Sequence, residues 1–313
     1  MKLTLFIVII STVLIITPVS SINVRNVNDK KNLENMNNES NQGTEYWALL
    51  VGVGYYYNHP EQNRPEMLGA VDTFYNVLLQ SPNWQPDHIH TLKSSQATLY
   101  NFIKEFLWLI VNVDSDDMVL IFITTHGSPL KSEGQPIDLP PKDEADGADE
   151  ILVMYYGFEK GYSIITDDML NLLLGLLRAK GVCVIIDSCY SGGFNDQPWF
   201  LTQTYNNELP SQNFNAELFK QDFIEEIASQ NRIILMSTTE FLLSYSCVFI
   251  EAILAGLSYD LADTDYGNGD GINSAEEVFI LADQWVKNEM GGAQDPTILD
   301  LYPGEFPLTF TKD

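Results

Sequence analysis

Short apolar runs alternate along this chain with segments of helical periodicity, and this alternation narrows the possible folds more than any other feature. Each run is four to eight residues long and ends at turn-forming or polar residues, which is typical of a buried strand. Strands that alternate with helices predict an α/β fold with a mainly parallel central sheet and helices on both faces. The predicted strands are 47–53, 89–92, 118–124, 182–186 and 232–236; the predicted helices are 67–79, a helix capped by Thr98 that ends at 111, and one capped by Thr166 that ends at 179.

The first 21 residues have the pattern of an export signal. Lys2 precedes an apolar run, Leu3 to Ile16, which Pro18 ends before a group of small residues. The run is shorter than the ~20 residues that a membrane-spanning helix needs. We therefore expect cleavage and a secreted or cell-surface protein, with membrane attachment only if the segment is retained.

The rest of the chain divides into a tail and one domain. Residues 22–44 are rich in Asn, polar and without apolar periodicity, which predicts a disordered stalk. The strand and helix patterns begin after it, so residues 45–313 are expected to form a single domain.

The composition limits the kinds of partner. Lys and Arg number 16 against 43 Asp and Glu, a formal net charge of -27. Nucleic-acid binding needs basic residues that neutralise phosphates, so we expect no nucleic-acid partner. An acidic protein suits metal ions or substrates that carry Lys or Arg. Its three cysteines, at 183, 189 and 247, cannot form a disulfide framework.

Two of the predicted strands run into residues that can perform chemistry. Thr125-His126-Gly127 follows one strand, and Asp187-Ser-Cys189 followed by Tyr-Ser-Gly-Gly follows another. The carboxyl ends of parallel strands share one edge of the sheet, where ligands bind. A thiol near an imidazole is the minimum for nucleophilic catalysis by cysteine. Cys183 and Cys247 lie within apolar segments and are expected in the core.

The combination of His126-Gly127 with residues 187–193 resembles the caspase-like cysteine peptidases, specifically the metacaspase branch. The resemblance extends over roughly residues 46–310. It implies a caspase-like three-layer sandwich and endopeptidase activity without an organic cofactor. It also implies that Cys189 is the nucleophile and His126 the general base. The N–H groups of Gly127 and Cys189 would form the oxyanion hole.

The resemblance also bears on substrate preference. In metacaspases the acidic residue two positions before the nucleophile lines the pocket for the P1 side chain, and here that residue is Asp187. Asp72 resembles a second pocket residue, with a one-residue gap in the match. A carboxylate in a buried pocket selects a cation, so cleavage after Arg or Lys is expected. The alternatives are a legumain-like preference for Asn, and an inactive caspase-like module that binds calcium.

Calcium is the one cofactor that the sequence points to, at two places. The resemblance implies a quartet of Asp149, Asp167, Asp168 and Asp196, although acidic residues also suit the first turn of a helix. Residues 263–277 are similar to an EF-hand loop, with an irregular spacing. Its candidate ligands are Asp265, Asn268, Asp270 and Glu277; the alternative is a polar loop that leads into a helix starting at Ser274.

The segment from 194 to 230 resembles the connection that many relatives cut during activation. No Lys or Arg lies between Lys180 and Lys220. An enzyme specific for basic residues could therefore cut itself there only after Lys220. Activity as a single chain, or after that one cut, is expected.

Overall fold

The computed structural model describes residues 43–132, 135–142, 147–189, 223–224, 227–239, 247–291 and 294–311. The predicted signal peptide, residues 22–42 of the predicted stalk, Asp196 and Lys220 lie outside these residues. No helix in the described part of the chain is both long and apolar enough to cross a membrane.

The regular structure of the described residues includes thirteen strands and six α-helices. The strands are β1 Tyr46–Gly52, β2 Ile89–Lys93, β3 Met118–Thr125, β4 Gly127–Pro129, β5 Lys131–Ser132, β6 Gln135–Pro136, β7 Glu150–Val153, β8 Ile164–Thr166, β9 Gly181–Cys189, β10 Arg232–Thr239, β11 Ile272–Ser274, β12 Thr297–Asp300 and β13 Pro307–Phe310. The helices are α1 Glu66–Gln80, α2 Leu99–Asn112, α3 Asp167–Gly175, α4 Val248–Ser258, α5 Leu261–Asp265 and α6 Ala275–Met290.

The central sheet has six strands in the order β12-β10-β9-β3-β1-β2. The five strands from β10 to β2 pair in parallel, and β12 adds to the edge in the antiparallel direction. Strand β3 is buried along its whole length, as expected for a parallel strand with both faces covered. The other sheets of the described chain are β4-β7-β8, β5-β6 and β11-β13.

Helices cover both faces of the central sheet. On one face Phe74 of α1, Phe122 of β3 and Phe249 of α4 are fully buried in one cluster that also includes α6. On the other face α2 packs on β1 and β2, and Trp108 contacts Trp47 edge to face at 5.4 Å. The predicted three-layer α/β sandwich is therefore confirmed. Replacing a core Phe by Ala in such an environment lowers the free energy of unfolding by about 3–5 kcal/mol.

The helix starts agree with the predicted caps. The hydroxyl groups of Thr98, Thr166 and Ser274 each accept a hydrogen bond from the N–H group three residues later. Helix α3, however, ends at Gly175 and not at Ala179 as predicted. Glycine is about 1 kcal/mol less favourable than alanine inside a helix. In the chain that follows Gly175, backbone N–H groups donate to carbonyl oxygens three residues earlier, as in a 3-10 helix.

Strand β9 is longer than its apolar run. The apolar run predicts a strand that ends at Ile186 and a loop that contains Cys189, whereas the strand continues through Cys189. The reason is pairing on both sides: Ser188 lies opposite Thr125 of β3, and Cys189 lies opposite Thr239 of β10. Backbone hydrogen bonding thus extends the strand beyond the point where hydrophobicity ends.

Candidate active site

The two predicted catalytic residues belong to neighbouring strands of the central sheet. His126 directly follows β3, and Cys189 is the last residue of β9. The two strands pair in parallel up to Thr125 and Ser188, so the residues that follow are adjacent at the carboxyl edge. The side chain of Cys189 lies outside the described part of the structure. The sheet therefore brings together the two positions that the sequence singles out.

The imidazole of His126 is fully buried and held from several sides. Its Nε2 lies 2.8 Å from the carbonyl oxygen of Gln62. The ring stacks on Tyr56, with centroids 5.2 Å apart, and meets the edge of Phe158 at 5.8 Å. The backbone N–H of His126 donates to the hydroxyl of Tyr56 at 3.1 Å. Both the position and the orientation of the ring are therefore fixed by these neighbours.

The contact with Gln62 determines the tautomer of the neutral ring. A carbonyl oxygen can only accept a hydrogen bond, so Nε2 carries the hydrogen. Nδ1 then holds the lone pair and is the nitrogen able to accept a proton. The arrangement is compatible with the predicted general-base role of His126, with a backbone carbonyl group as the partner of Nε2.

The N–H group of Gly127 is directed away from the small sheet. Gly127 lies opposite Leu152, and the N–H of Val153 donates to the oxygen of His126 at 2.8 Å. Residues 126 and 153 thus face each other at a hydrogen-bonded position of an antiparallel ladder. Because such positions alternate, the N–H of Gly127 points outward from β7. This direction is compatible with the predicted oxyanion role.

Asp187 is fully buried on β9, two residues before Cys189. Burial raises the pKa of its carboxyl group from the ordinary value to about 7. Interactions with Cys247 and Thr124 lower the pKa, and the charge of Glu251 adds to the rise.

The other two cysteines lie in the core, as predicted, since Cys183 and Cys247 are both buried.

Asp72, the second predicted pocket residue, lies on α1 with an exposed side chain. Its carboxylate pairs with Nζ of Lys93, at the end of β2, over 2.6 Å. Strand β2 is the edge strand, three positions away from β9. Among the described contacts, none joins Asp72 to Asp187, so the pocket role of Asp72 stays a prediction.

Three members of the predicted acidic quartet lie near the small sheet β4-β7-β8. Asp149 and Asp167 are buried, and Asp168 is half-buried in the first turn of α3. The two oxygens of Asp167 accept from the N–H groups of Glu150 and Asp168, and Oδ1 of Asp149 accepts from the N–H of Leu139. These carboxylates match the oxygen ligands that Ca²⁺ prefers. The fourth member, Asp196, is outside the described residues.

The EF-hand-like loop is held by its own hydrogen bonds. Glu277 forms a capping box with Ser274, and its second oxygen accepts from the N–H of Asn268 at 2.9 Å. Asn268 and Asp270 each accept from the backbone two residues further on, while Asp265 is exposed. The helix start at Ser274, the alternative that the sequence left open, is thus present. Calcium binding by this loop stays a prediction.

One further acidic group lies elsewhere. Asp114, Asp116 and Asp117 are the residues of the described chain whose metal-ligating atoms come within 4.8 Å of one another. They precede β3, at the opposite edge of the sheet from His126. Asp117 accepts hydrogen bonds from the N–H of Glu45 and the indole of Trp47, which fixes the start of β1. Its contacts indicate a structural role.

Sequence reasoning did not identify Gln62 or Tyr56 as parts of the site. A backbone carbonyl acceptor has no residue signature, so nothing in the sequence marks Gln62. The run Tyr55-Tyr56-Tyr57 lies in the loop just after a buried strand, and this position is a usable signal because such loops often carry functional residues.

Comparison with known proteins supports the resemblance. A protein-family model described as the metacaspase, peptidase C14 domain matches residues 47–198. Metacaspase-1 of Saccharomyces cerevisiae is 27% identical over 163 residues, which cover 49% of this chain and 34% of the relative. Metacaspase-4 of Arabidopsis thaliana is 26% identical over 159 residues, or 48% of this chain and 34% of the relative. The chain thus spans about a third of the length of these curated relatives.

Solved structures of similar fold cover more of the chain. The protein GSU0716 from Geobacter sulfurreducens aligns with a TM-score of 0.51 and 16% identity, over 86% of this chain and all of that one. The structure of pro-sf-caspase-1 aligns with a TM-score of 0.51 and 14% identity, over 86% and 92%. At these identities the likeness concerns the fold. The predicted resemblance to the caspase-like, metacaspase-related cysteine peptidases is confirmed over residues 47–198.

Proposed function

We propose that this protein is a cysteine endopeptidase in which Cys189 is the nucleophile and His126 the general base. The observation that carries the proposal is the position of the two residues at adjacent strand ends, with the tautomer of His126 set by Gln62. Nδ1 is then the proton acceptor, as a dyad of this kind requires.

The reaction follows from this arrangement. His126 takes the thiol proton, and the sulfur of Cys189 attacks the carbonyl carbon of the scissile peptide bond. The N–H groups of Gly127 and Cys189 stabilise the negative oxygen of the tetrahedral intermediate. His126 then gives its proton to the leaving amine, and water, deprotonated by the same imidazole, hydrolyses the acyl-enzyme. No organic cofactor takes part.

The proposed substrates are proteins with Arg or Lys at P1. Asp187 is a buried carboxyl group two residues from the nucleophile, and residues two apart on a strand share a face. Pairing with a guanidinium or ammonium group would offset the cost of burying its charge. We further propose that the N-terminal segment directs the protein out of the cell.

We place the calcium proposal at the quartet rather than at the EF-hand-like loop. Asp149 and Asp167 are buried carboxylates at the small sheet, so a cation bound there would offset the cost of burying their charges. The loop oxygens are mostly exposed, where water already screens their charges. Asp149, Asp167, Asp168 and Asp196 would hold the ion, which would supply positive charge that stabilises the surrounding loops.

A P1 scan with fluorogenic peptides tests the proposal. Peptides ending in Arg, Lys, Asn or Asp before the fluorophore are incubated with the full chain and with Cys189→Ala, with and without Ca²⁺. We expect turnover of the Arg and Lys peptides, and at least a thousand-fold loss in Cys189→Ala. Turnover of the Asn peptide alone would favour the legumain-like alternative. Absence of turnover, together with no labelling of Cys189 by an Arg-based chloromethyl ketone, would favour the inactive module.

Thermal melting with Ca²⁺ and with EDTA tests the calcium site. We expect Ca²⁺ to raise the melting temperature of the wild-type chain, because an ion bound only by the folded state stabilises it. Asp167→Asn should abolish the rise, whereas Glu277→Gln, which can still form the capping box, should retain it. The reverse result would assign calcium to the EF-hand-like loop. No response in the wild type would contradict both sites.

A further inference from the structure

Three tyrosine rings form a cluster at the surface beside His126. Tyr57, Tyr155 and Tyr156, together called the tyrosine cluster, lie with ring centroids 4.8–6.1 Å apart. Tyr57 is 40% exposed and the other two are half-buried. Lys160 places its Nζ 4.5 Å from the centroid of Tyr156, so Tyr57 is the most accessible ring of the three.

The cluster is rigidly joined to the candidate active site. Tyr57 follows Tyr56, whose ring stacks on the imidazole of His126. The N–H of Tyr57 donates to the oxygen of Tyr155 at 3.0 Å, which ties the loop after β1 to the loop after β7. Phe158, from the second loop, contacts both Tyr56 and His126. The two loops therefore hold the catalytic imidazole and the cluster as one unit.

The order of the strands determines on which side of His126 the cluster lies. Cys189 ends β9, His126 follows β3, and Tyr57 follows β1, which is the next strand along. The N–H of Tyr155 donates to the oxygen of Ala97, just after β2. Along the carboxyl edge, the sequence of positions is thus nucleophile, imidazole, tyrosine cluster.

This order has a chemical consequence that rests on the proposed function. The imidazole gives its proton to the leaving amine, so the substrate residues after the scissile bond lie on the imidazole side of the sulfur. Three extended residues span roughly 10 Å. We propose that the tyrosine cluster binds a side chain among the first three residues after the scissile bond, and that it prefers an aromatic one.

The preference follows from the surface that the rings present. Exposed tyrosine rings attract other aromatic rings through edge-to-face and offset stacking. A single such contact, made by a bound substrate, raises kcat/KM by roughly three- to ten-fold. The cluster therefore adds a second specificity element, on the opposite side of the scissile bond from Asp187.

Internally quenched peptides measure this effect directly. Each carries Arg at P1 and differs only by a Phe or a Gly at the first, second or third position after the scissile bond. For the wild-type chain we expect one position at which Phe raises kcat/KM three- to ten-fold over Gly. Tyr57→Ser should bring that ratio close to one, and Tyr57→Phe should restore it because the ring remains. Tyr100→Ser, at a 77% exposed position on α2, is the matched control and should leave the ratio unchanged.

The possible outcomes separate this inference from the proposed function. Equal kcat/KM for Phe and Gly at all three positions in the wild type would overturn the inference and leave the peptidase proposal intact. An equal loss with both peptides in Tyr57→Ser would overturn it too, since it indicates a structural role. A wild-type dimer that Tyr57→Ser dissociates would assign the cluster to a second copy of the chain. Absence of cleavage of every peptide would overturn both proposals.

Discussion

His126 shows how much a single residue depends on neighbours that are far away in the chain. The carbonyl oxygen that orients its ring belongs to Gln62, 64 positions earlier. The hydroxyl that holds its backbone belongs to Tyr56, which also contacts the hydroxyl of Thr125 at 2.8 Å. The orientation and tautomer of the ring therefore result from contacts between two separate segments, the loop after β1 and the end of β3.

Asp187 is the residue for which pH should matter most. The pKa of its carboxyl group is about 7 in the folded protein, above the ordinary value near 4, because burial disfavours the charge. Between those two values the folded state binds more protons than the unfolded state. The contribution to stability is therefore present below about pH 4 and is lost as the pH rises through 7.

Replacing Asp187 by Asn tests this assignment. The difference in unfolding free energy, Asp187→Asn minus wild type, should increase between pH 5 and pH 8, because the amide cannot ionise. Urea denaturation at both pH values measures it. Asp72→Asn, at an exposed carboxylate, is the control and should show little change. A difference that is constant across the pH range would contradict the raised pKa of Asp187.

At the scale of elements, ladders and caps determine where segments end. Strand β9 continues through polar residues because both of its neighbours pair with it up to Ser188 and Cys189. Helix α6 begins at a reciprocal cap, in which Ser274 accepts from the N–H of Glu277 and Glu277 accepts from the N–H of Ser274. Both groups are buried, so the loss of either leaves a donor without its acceptor.

The cap of α6 gives a stability prediction. Ser274→Ala should destabilise the protein by about 1–2 kcal/mol, because the N–H of Glu277 loses its acceptor. The midpoint of urea denaturation should fall without a change in the slope. Ser258→Ala, at the end of α4, is a control outside any N-cap. Equal urea midpoints for Ser274→Ala and Ser258→Ala would contradict this contribution of the cap to stability.

At the scale of the whole molecule, the scarcity of basic residues limits self-cleavage. Only 16 of 313 residues are Lys or Arg, and none lies between Lys180 and Lys220. Between Cys189 and the start of β10, an enzyme specific for basic P1 residues can therefore cut the chain only after Lys220.

Incubation with Ca²⁺ followed by gel electrophoresis tests this consequence. We expect the chain to stay intact or to be cut once, after Lys220, and Lys220→Gln should prevent that cut. The Cys189→Ala variant should remain uncut, which excludes a contaminating peptidase. A cut at an acidic or amide residue between 190 and 219, identified by mass spectrometry, would contradict the proposed preference for Arg and Lys.

Local patterns in the sequence determined the starts of the helices and the presence of the parallel strands. Apolar periodicity and caps such as Thr98, Thr166 and Ser274 act within a few residues, so they can be read from the chain directly. The order of His126 and Cys189 after their strands likewise predicted that the two positions meet. The pairing of β12, the strand character of Cys189, the contact of Gln62 with His126 and the pairing of Asp72 with Lys93 were decided only by the tertiary structure. Each of these joins segments distant in the chain, and their relative positions are set by packing and backbone pairing rather than by local preference.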